Sequence, residues 1–157
     1  MISFIWTFIN KAIDTVAFFL TAPFLLIIRL YWGWQFFLTG KGKLADLDKV
    51  TSFFKELHIP FPKLNAILAG STECFGGLLL MVGLFSRLVS IPLMFTMIVA
   101  YLTADLDAVK KIFSDPDKFV SAAPFLFFLV PLIIFLFGPG LFSIDALFGK
   151  ARARKAK

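Results

Sequence analysis

The sequence predicts an all-α integral membrane protein: a bundle of four transmembrane helices with short interfacial amphipathic helices. Three observations predict it. The first is composition. The 157 residues are 59% hydrophobic and only 17% charged, with 22 phenylalanines and a mean hydropathy of +0.88. Soluble domains are about half apolar and about a quarter charged, so lipid must solvate much of this surface. The second is how the charges fall. Thr15 to Gly40 contains one charge, Arg29; Leu64 to Ser86 contains one, Glu73; Leu88 to Ala104 and Phe119 to Ile144 contain none. The third is length. A crossing helix needs about 20 apolar residues, with a range of about 17–25, which places spans near 16–39, 64–85, 88–104 and 120–137.

The elements then follow in order. Residues 1–15 read as an interfacial amphipathic segment, because Ile2, Ile5, Trp6, Ile9 and Ile13 fall on one side of a helix. A basic n-region and a small-residue cleavage site are both missing, so the first span is expected to direct insertion. The C-terminal residues are not a lipidation box. Residues 16–147 form the four-helix domain. Between its first two spans, Leu44, Leu47, Val50, Phe54 and Leu57 recur at helical spacing. Asp46, Lys49, Lys55 and Glu56 occupy much of the other face. This is a short amphipathic helix at the membrane surface, stopped by Ile59-Pro60-Phe61-Pro62. Only a few residues around Ser86-Arg87 separate spans two and three, so these should form a tight antiparallel hairpin. Residues 105–118 are a polar connector whose acids lack the spacing and glycine of a calcium loop. Gly138-Pro139-Gly140 stops the fourth span. Residues 148–157 are a basic tail.

The same residues narrow the function classes. One cysteine, Cys74, allows no intramolecular disulfide, and an apolar setting makes its thiol unreactive. One histidine, His58, cannot supply a pair of haem ligands or a Cys/His metal cluster from a single chain. It reads as interfacial structure. No metal site, catalytic residue or cofactor motif is visible. The formal charge of +6 fits anionic headgroups better than nucleic acid, because the basic residues lie in loops and tail. Four spans put both termini on one side. The positive-inside count is near a tie, and the tail's five basic residues favour the cytoplasm for that side.

Arg29 and Glu73 are the main clue. A charge at the bilayer centre costs about 2.5–3.5 kcal/mol on insertion scales and usually faces the bundle interior with a partner. Counted from the predicted span ends, the two lie at roughly 16 and 13 Å depth at 1.5 Å per residue, which makes an ion pair reasonable. Ala66, Gly70, Glu73 and Gly77 form a stripe of small residues on span two. Arg29, Gly33 and Gly40 share a side of span one, and such faces let helices approach closely. Arg87 either snorkels to the interface or folds inward as a second partner for Glu73. The pair either fixes packing, lines a pocket for a headgroup, quinone carbonyl or anion, or takes part in a relay. Tyr31, Trp32 and Trp34 are pocket walls or ordinary packing. Ser143 and Asp145 either cap a terminal helix or reach back to Arg29, Lys43 or Arg87.

These residues together resemble the DoxX family. Ile28-Arg29-Leu30-Tyr31-Trp32-Gly33 with Thr39-Gly40-Lys41-Gly42-Lys43-Leu44 is similar to its opening signature. Leu57-His58-Ile59-Pro60-Phe61-Pro62, Glu73-Cys74-Phe75-Gly76-Gly77 and Gly83-Leu84-Phe85-Ser86-Arg87 follow in the family's order. Gly138-Pro139-Gly140-Leu141-Phe142-Ser143-Ile144-Asp145 is similar to its closing motif. The resemblance implies a four-helix protein of the bacterial cytoplasmic membrane. It carries over Arg29, Gly33, Lys43, Pro60, Glu73, Gly77, Arg87, Ser143 and Asp145 as motif residues. It also implies quinone contact or a redox protein partner, since some relatives are subunits of a thiosulfate:quinone oxidoreductase. The expected function is therefore an accessory or partner-binding subunit of a membrane redox system, acting with a protein partner or as a homo-oligomer. The alternatives are a quinone-linked oxidoreductase subunit and a small-molecule transporter, the last without the inverted repeat that class often shows.

Overall fold

The protein is described by a computed structural model covering residues 2–155. Every regular element among these residues is a helix: α1 Ile2–Ala45, α2 Leu47–Glu56, α3 Pro62–Val82, α4 Ser86–Thr103, α5 Leu106–Lys110, α6 Pro116–Ser121, α7 Pro124–Phe137 and α8 Ile144–Lys155. Three of them, over Ile9–Ala45, Pro62–Val82 and Ser86–Thr103, are long and apolar enough to cross a membrane. The chain is an all-α membrane protein. The fourth predicted span corresponds to α7, which has 14 residues, fewer than the about 20 that a bilayer core asks of an upright helix.

Two boundaries differ from the sequence reading. The amphipathic start is not a separate helix, since α1 runs 44 residues, about 66 Å at 1.5 Å per residue. Nothing near residue 15 interrupts it: the Thr15 hydroxyl donates to its own helix at Lys11 O, 2.7 Å away. Its other end passes the predicted stop at residue 39 and reaches Ala45. Gly40 and Gly42 do not cap the helix; Asp46 ends it. There the chain turns, and the Asp46 carboxylate accepts from Lys49 N at 3.2 Å to cap α2.

The amphipathic surface helix is present as α2. It closes with His58 at φ 56 and with Ile59 N donating to Phe54 O at 3.0 Å, a Schellman-type end. His58 is thus an exposed cap residue. The tight hairpin is also present. Gly83 at φ 72 ends α3 and Phe85 at φ 50 opens α4. The polar connector contains two short helices, α5 and α6, with Asp115 capping α6. The basic tail continues as helix α8 to Lys155; Met1, Ala156 and Lys157 lie outside the described residues.

Packing is dominated by two antiparallel pairs, α1 with α3 and α4 with α7. Leu25 and Phe36 of α1, Leu80 of α3, Leu93 and Met97 of α4, and Val130 and Ile134 of α7 meet in one apolar core. Phe127 joins the pairs by edge contacts with Trp32 at 4.9 Å and Phe36 at 4.8 Å. The α1–α3 contact is nearly backbone on backbone. A Cβ on Gly77 would lie 2.6 Å from both Gly33 O and Phe37 N, and one on Gly40 would overlap the backbone nitrogen of Cys74. Without an apolar solvent difference to drive association, this close approach supplies dispersion contact that larger residues would forfeit.

Gly40→Ala should destabilise the folded protein by at least roughly 1–3 kcal/mol, because both neighbours are rigid backbone. Gly42→Ala meets nothing within 4 Å and should be neutral or stabilising by up to about 1 kcal/mol through helix propensity. Thermal unfolding in detergent of the two variants checks this, and equal midpoints would contradict the seam.

Candidate functional site

The seam decides which charges meet. Gly33 lies against Gly77 and Met81, and Gly40 lies against Gly70 and Cys74. In that register Arg29 falls beside Met81 and Gly83, eight residues or about 12 Å beyond Glu73 along α3. The expected Arg29–Glu73 pair therefore does not form. The depth estimate placed the end of the first span at residue 39, whereas α1 extends to Ala45 and brings Lys43 to Glu73.

Two polar clusters result, at opposite ends of the bundle. In the first, Lys43 Nζ donates to Glu73 Oε1 at 2.5 Å. It is the one ion pair among the described residues. Glu73 is 1% exposed and the Lys43 side chain 30%. The other carboxylate oxygen, Oε2, is buried without a hydrogen-bond partner, an arrangement that costs free energy for a charged acceptor. Both residues line a cavity of about 440 Å³ between α2, α3 and α4. Its walls include Phe53, Phe54 and Leu57 of α2, Leu68 of α3, and Phe95 and Val99 of α4. Thr72 and Thr96 add hydroxyls, and Thr96 spends its proton on Pro92 O at 2.9 Å.

In the second cluster Arg29, 1% exposed, is held by backbone carbonyls. Its guanidinium donates to Met81 O at 3.2 Å, Pro139 O at 2.5 Å and Phe142 O at 2.5 Å. These charge-assisted bonds tie the closing motif to α1 and α3. A Cβ on Gly83 would lie 2.6 Å from Arg29 Nη1, so that glycine leaves room for the guanidinium. Asp145 is near enough for its charge to act on Arg29, but its carboxylate is bound elsewhere. It accepts from Phe85 N and Ser86 N, each at 2.8 Å, and its own amide donates to Gly83 O at 2.9 Å. It thus clamps the hairpin, satisfying the free amides at the start of α4. Ser143 caps α8: its Oγ accepts from Ala146 N at 3.1 Å and donates to Gly140 O at 2.7 Å.

Of the predicted site residues, Lys43 and Glu73 come together at one end. Arg29, Arg87, Ser143 and Asp145 gather at the other, with Gly33 and Gly77 in the seam between. Arg87 does not turn inward to Glu73; it is exposed and donates to Leu136 O at 3.3 Å. Tyr31 and Trp32 line neither cavity. Tyr31 is exposed and Trp32 packs on Phe127. Sequence reasoning missed the inner face of α2 as a cavity wall, although the apolar periodicity of α2 was its signal.

The DoxX family model matches residues 24–106, about half of the chain, including Arg29, Lys43, Glu73 and Arg87. This chain belongs to the DoxX family. Over 140 residues it is 29% identical to a protein of Mycobacterium tuberculosis (strain ATCC 25618 / H37Rv), "Uncharacterized membrane protein Rv3486", covering 82% of this chain and 83% of that one. Over 83 residues it is 30% identical to "Putative oxidoreductase CatD" of Bacillus subtilis (strain 168), covering 53% of this chain and 60% of that protein's length. No solved structure matches. Within this DoxX protein the family match ends before Asp145, which binds the closing motif to the α3–α4 hairpin.

Glu73→Gln should cost about 1–3 kcal/mol, less than the roughly 3–5 kcal/mol for a wholly buried pair, because Lys43 keeps some solvent access. Cys74→Ser should cost less. Equal unfolding temperatures for the two would remove the ion pair from the account. Arg29→Lys should cost about 1.5–3 kcal/mol for each carbonyl bond lost, since a lysine cannot present a planar fork. Arg87→Lys should be nearly neutral by the same assay.

Proposed function

We propose that this DoxX protein is an accessory subunit of a membrane redox system in the bacterial cytoplasmic membrane. In this reading it holds a lipophilic molecule of the quinone class in the Lys43–Glu73 cavity for a protein partner. The observation that carries the reading is the Glu73 carboxylate in the wall of an apolar cavity, one oxygen held by Lys43 and the other without a partner. The cavity's size lies within the about 300–1,000 Å³ of small-molecule sites.

The donor set suits a quinone. Lys43 Nζ carries three N–H groups and gives one to Glu73, so others remain for a carbonyl oxygen. The free Glu73 oxygen accepts from the hydroxyl of the reduced form. Phe53, Phe54 and Phe95 keep water from the ring, and Lys43 keeps the Glu73 charge balanced. A bound quinone supplies two-electron chemistry. With one cysteine and one histidine in the chain, the electrons come from the partner's redox centre, which is why the role is accessory. The name of the Bacillus subtilis relative, an oxidoreductase, favours as second reading a quinone-linked oxidoreductase subunit that uses the same cavity.

The topology belongs to the same proposal. The segment from α6 to the end of α7 follows the length of α4: the Tyr101 hydroxyl donates to Phe119 O at 2.9 Å and Arg87 to Leu136 O at 3.3 Å. On this basis α7 makes a fourth crossing, and both termini lie on the side of the basic α8, the cytoplasm.

Mass spectrometry of the protein extracted gently with its native lipid tests the reading. A stoichiometric quinone is expected in the wild type, and it should be lost in Glu73→Gln and Lys43→Met. Recovery of bulk lipid alone, or a quinone retained in both variants, refutes the site.

A further inference from the structure

The opposite end of the bundle carries a second cavity, independent of the Lys43–Glu73 reading. Its volume is about 700 Å³, and it lies between the first half of α1, the start of α4 and the closing loop. Phe18, Leu25, Phe85, Leu88, Phe137 and Leu141 give it apolar walls. Arg87 lines it at the α3–α4 hairpin.

The charges here are unequally satisfied. Arg29 is buried and bonded to three carbonyls. Asp145 also lines the cavity, but its two oxygens are taken by the amides of Phe85 and Ser86. Arg87 is exposed, and its bond to Leu136 O, at 3.3 Å, leaves most of its five N–H donors free. Arg29, Arg87 and Asp145 together carry one net positive charge (two cations, one anion). The following α8 adds Lys150, Arg152, Arg154 and Lys155 in sequence. An exposed guanidinium in the wall of an apolar cavity matches a lipid anion with an attached chain.

We infer that this cavity is a binding site for one anionic glycerophospholipid, its phosphate on Arg87 and an acyl chain between α1, α4 and the closing loop. The site selects by charge at Arg87 and by shape at the cavity, so the two contributions separate by mutation.

Native mass spectrometry of the full chain in neutral detergent tests this, with phosphatidylglycerol and phosphatidylcholine of identical chains as probes. The wild type should retain one phosphatidylglycerol about fivefold more tightly than phosphatidylcholine, the order expected for one basic residue at an anionic headgroup. Arg87→Gln should abolish that preference. Thr21→Trp, which puts an indole into the cavity and leaves Arg87 in place, should remove retention of both lipids. Replacing Lys150, Arg152, Arg154 and Lys155 by Gln should leave the preference intact. Equal retention of the two lipids by the wild type overturns the site. So does a preference that survives Arg87→Gln, or one that disappears only with the tail charges. Should Arg87→Gln not fold, Thr21→Trp decides: a folded variant without bound lipid supports the site, and one that retains it overturns the site.

Discussion

The near-contact of the α1 and α3 backbones along Gly33, Gly40, Gly70 and Gly77 is the constraint on which the rest depends. A carbonyl of one helix lies where a side chain of the other would stand. That fit admits one register, because a slide of even one residue drives a Cβ into backbone. Each polar group on the two helices then has its neighbours assigned. Lys43 meets Glu73, and Arg29 is left beside the end of α3. Packing, not charge, chose the partners. Coulomb attraction is long-ranged in a low dielectric but has no comparable power to discriminate between levels of a helix.

Arg29 shows how a chain satisfies a buried cation without a carboxylate. The three carbonyls it binds come from the end of α3 and from the closing loop, places where helix and turn geometry leave backbone oxygens free. The guanidinium and those oxygens each need the other, since Arg29 is buried away from water. The same logic runs in reverse at Asp145, a carboxylate bound by the free amides at the start of α4. Arg29 and Asp145 thereby fasten the closing motif to the hairpin from two sides. This makes the segment after α7 part of the bundle, although the family match ends well before it.

Much of this was legible in the sequence, and the illegible part has a physical cause. The hairpin, the surface helix α2 and the small-residue stripes were readable because each is a local pattern of periodicity or turn chemistry. The importance of Arg29, Glu73 and Lys43 was readable too, the first two from the cost of charge in an apolar run and the third from family resemblance. Their pairing was not. It depends on how far α1 runs past Gly40, and Lys41-Gly42-Lys43 has the composition of a loop. Helix continues there because Gly40 is pressed against α3 and a charged Lys43 finds Glu73. Both are tertiary facts. The helical link between residues 1–15 and the first span was hidden in a similar way, since an amphipathic start reads as separate when nothing marks the join.

The surface helix has a further consequence for the site. Its apolar face was expected to rest on lipid, yet Phe53, Phe54 and Leu57 wall the Lys43–Glu73 cavity. Its polar residues remain outward, so one amphipathic helix both presents a polar face and closes a cavity beneath it. The turn at Asp46 holds it there, only three residues from Lys43. Any movement of α2 therefore changes the solvent access of Lys43 together with the volume open to a ligand. Access matters because the Lys43 side chain is 30% exposed and can be hydrated, whereas Glu73 is 1% exposed and cannot. Lys43 stands on α1 beside Gly70 of the seam, so only the outer part of its side chain is left to adapt.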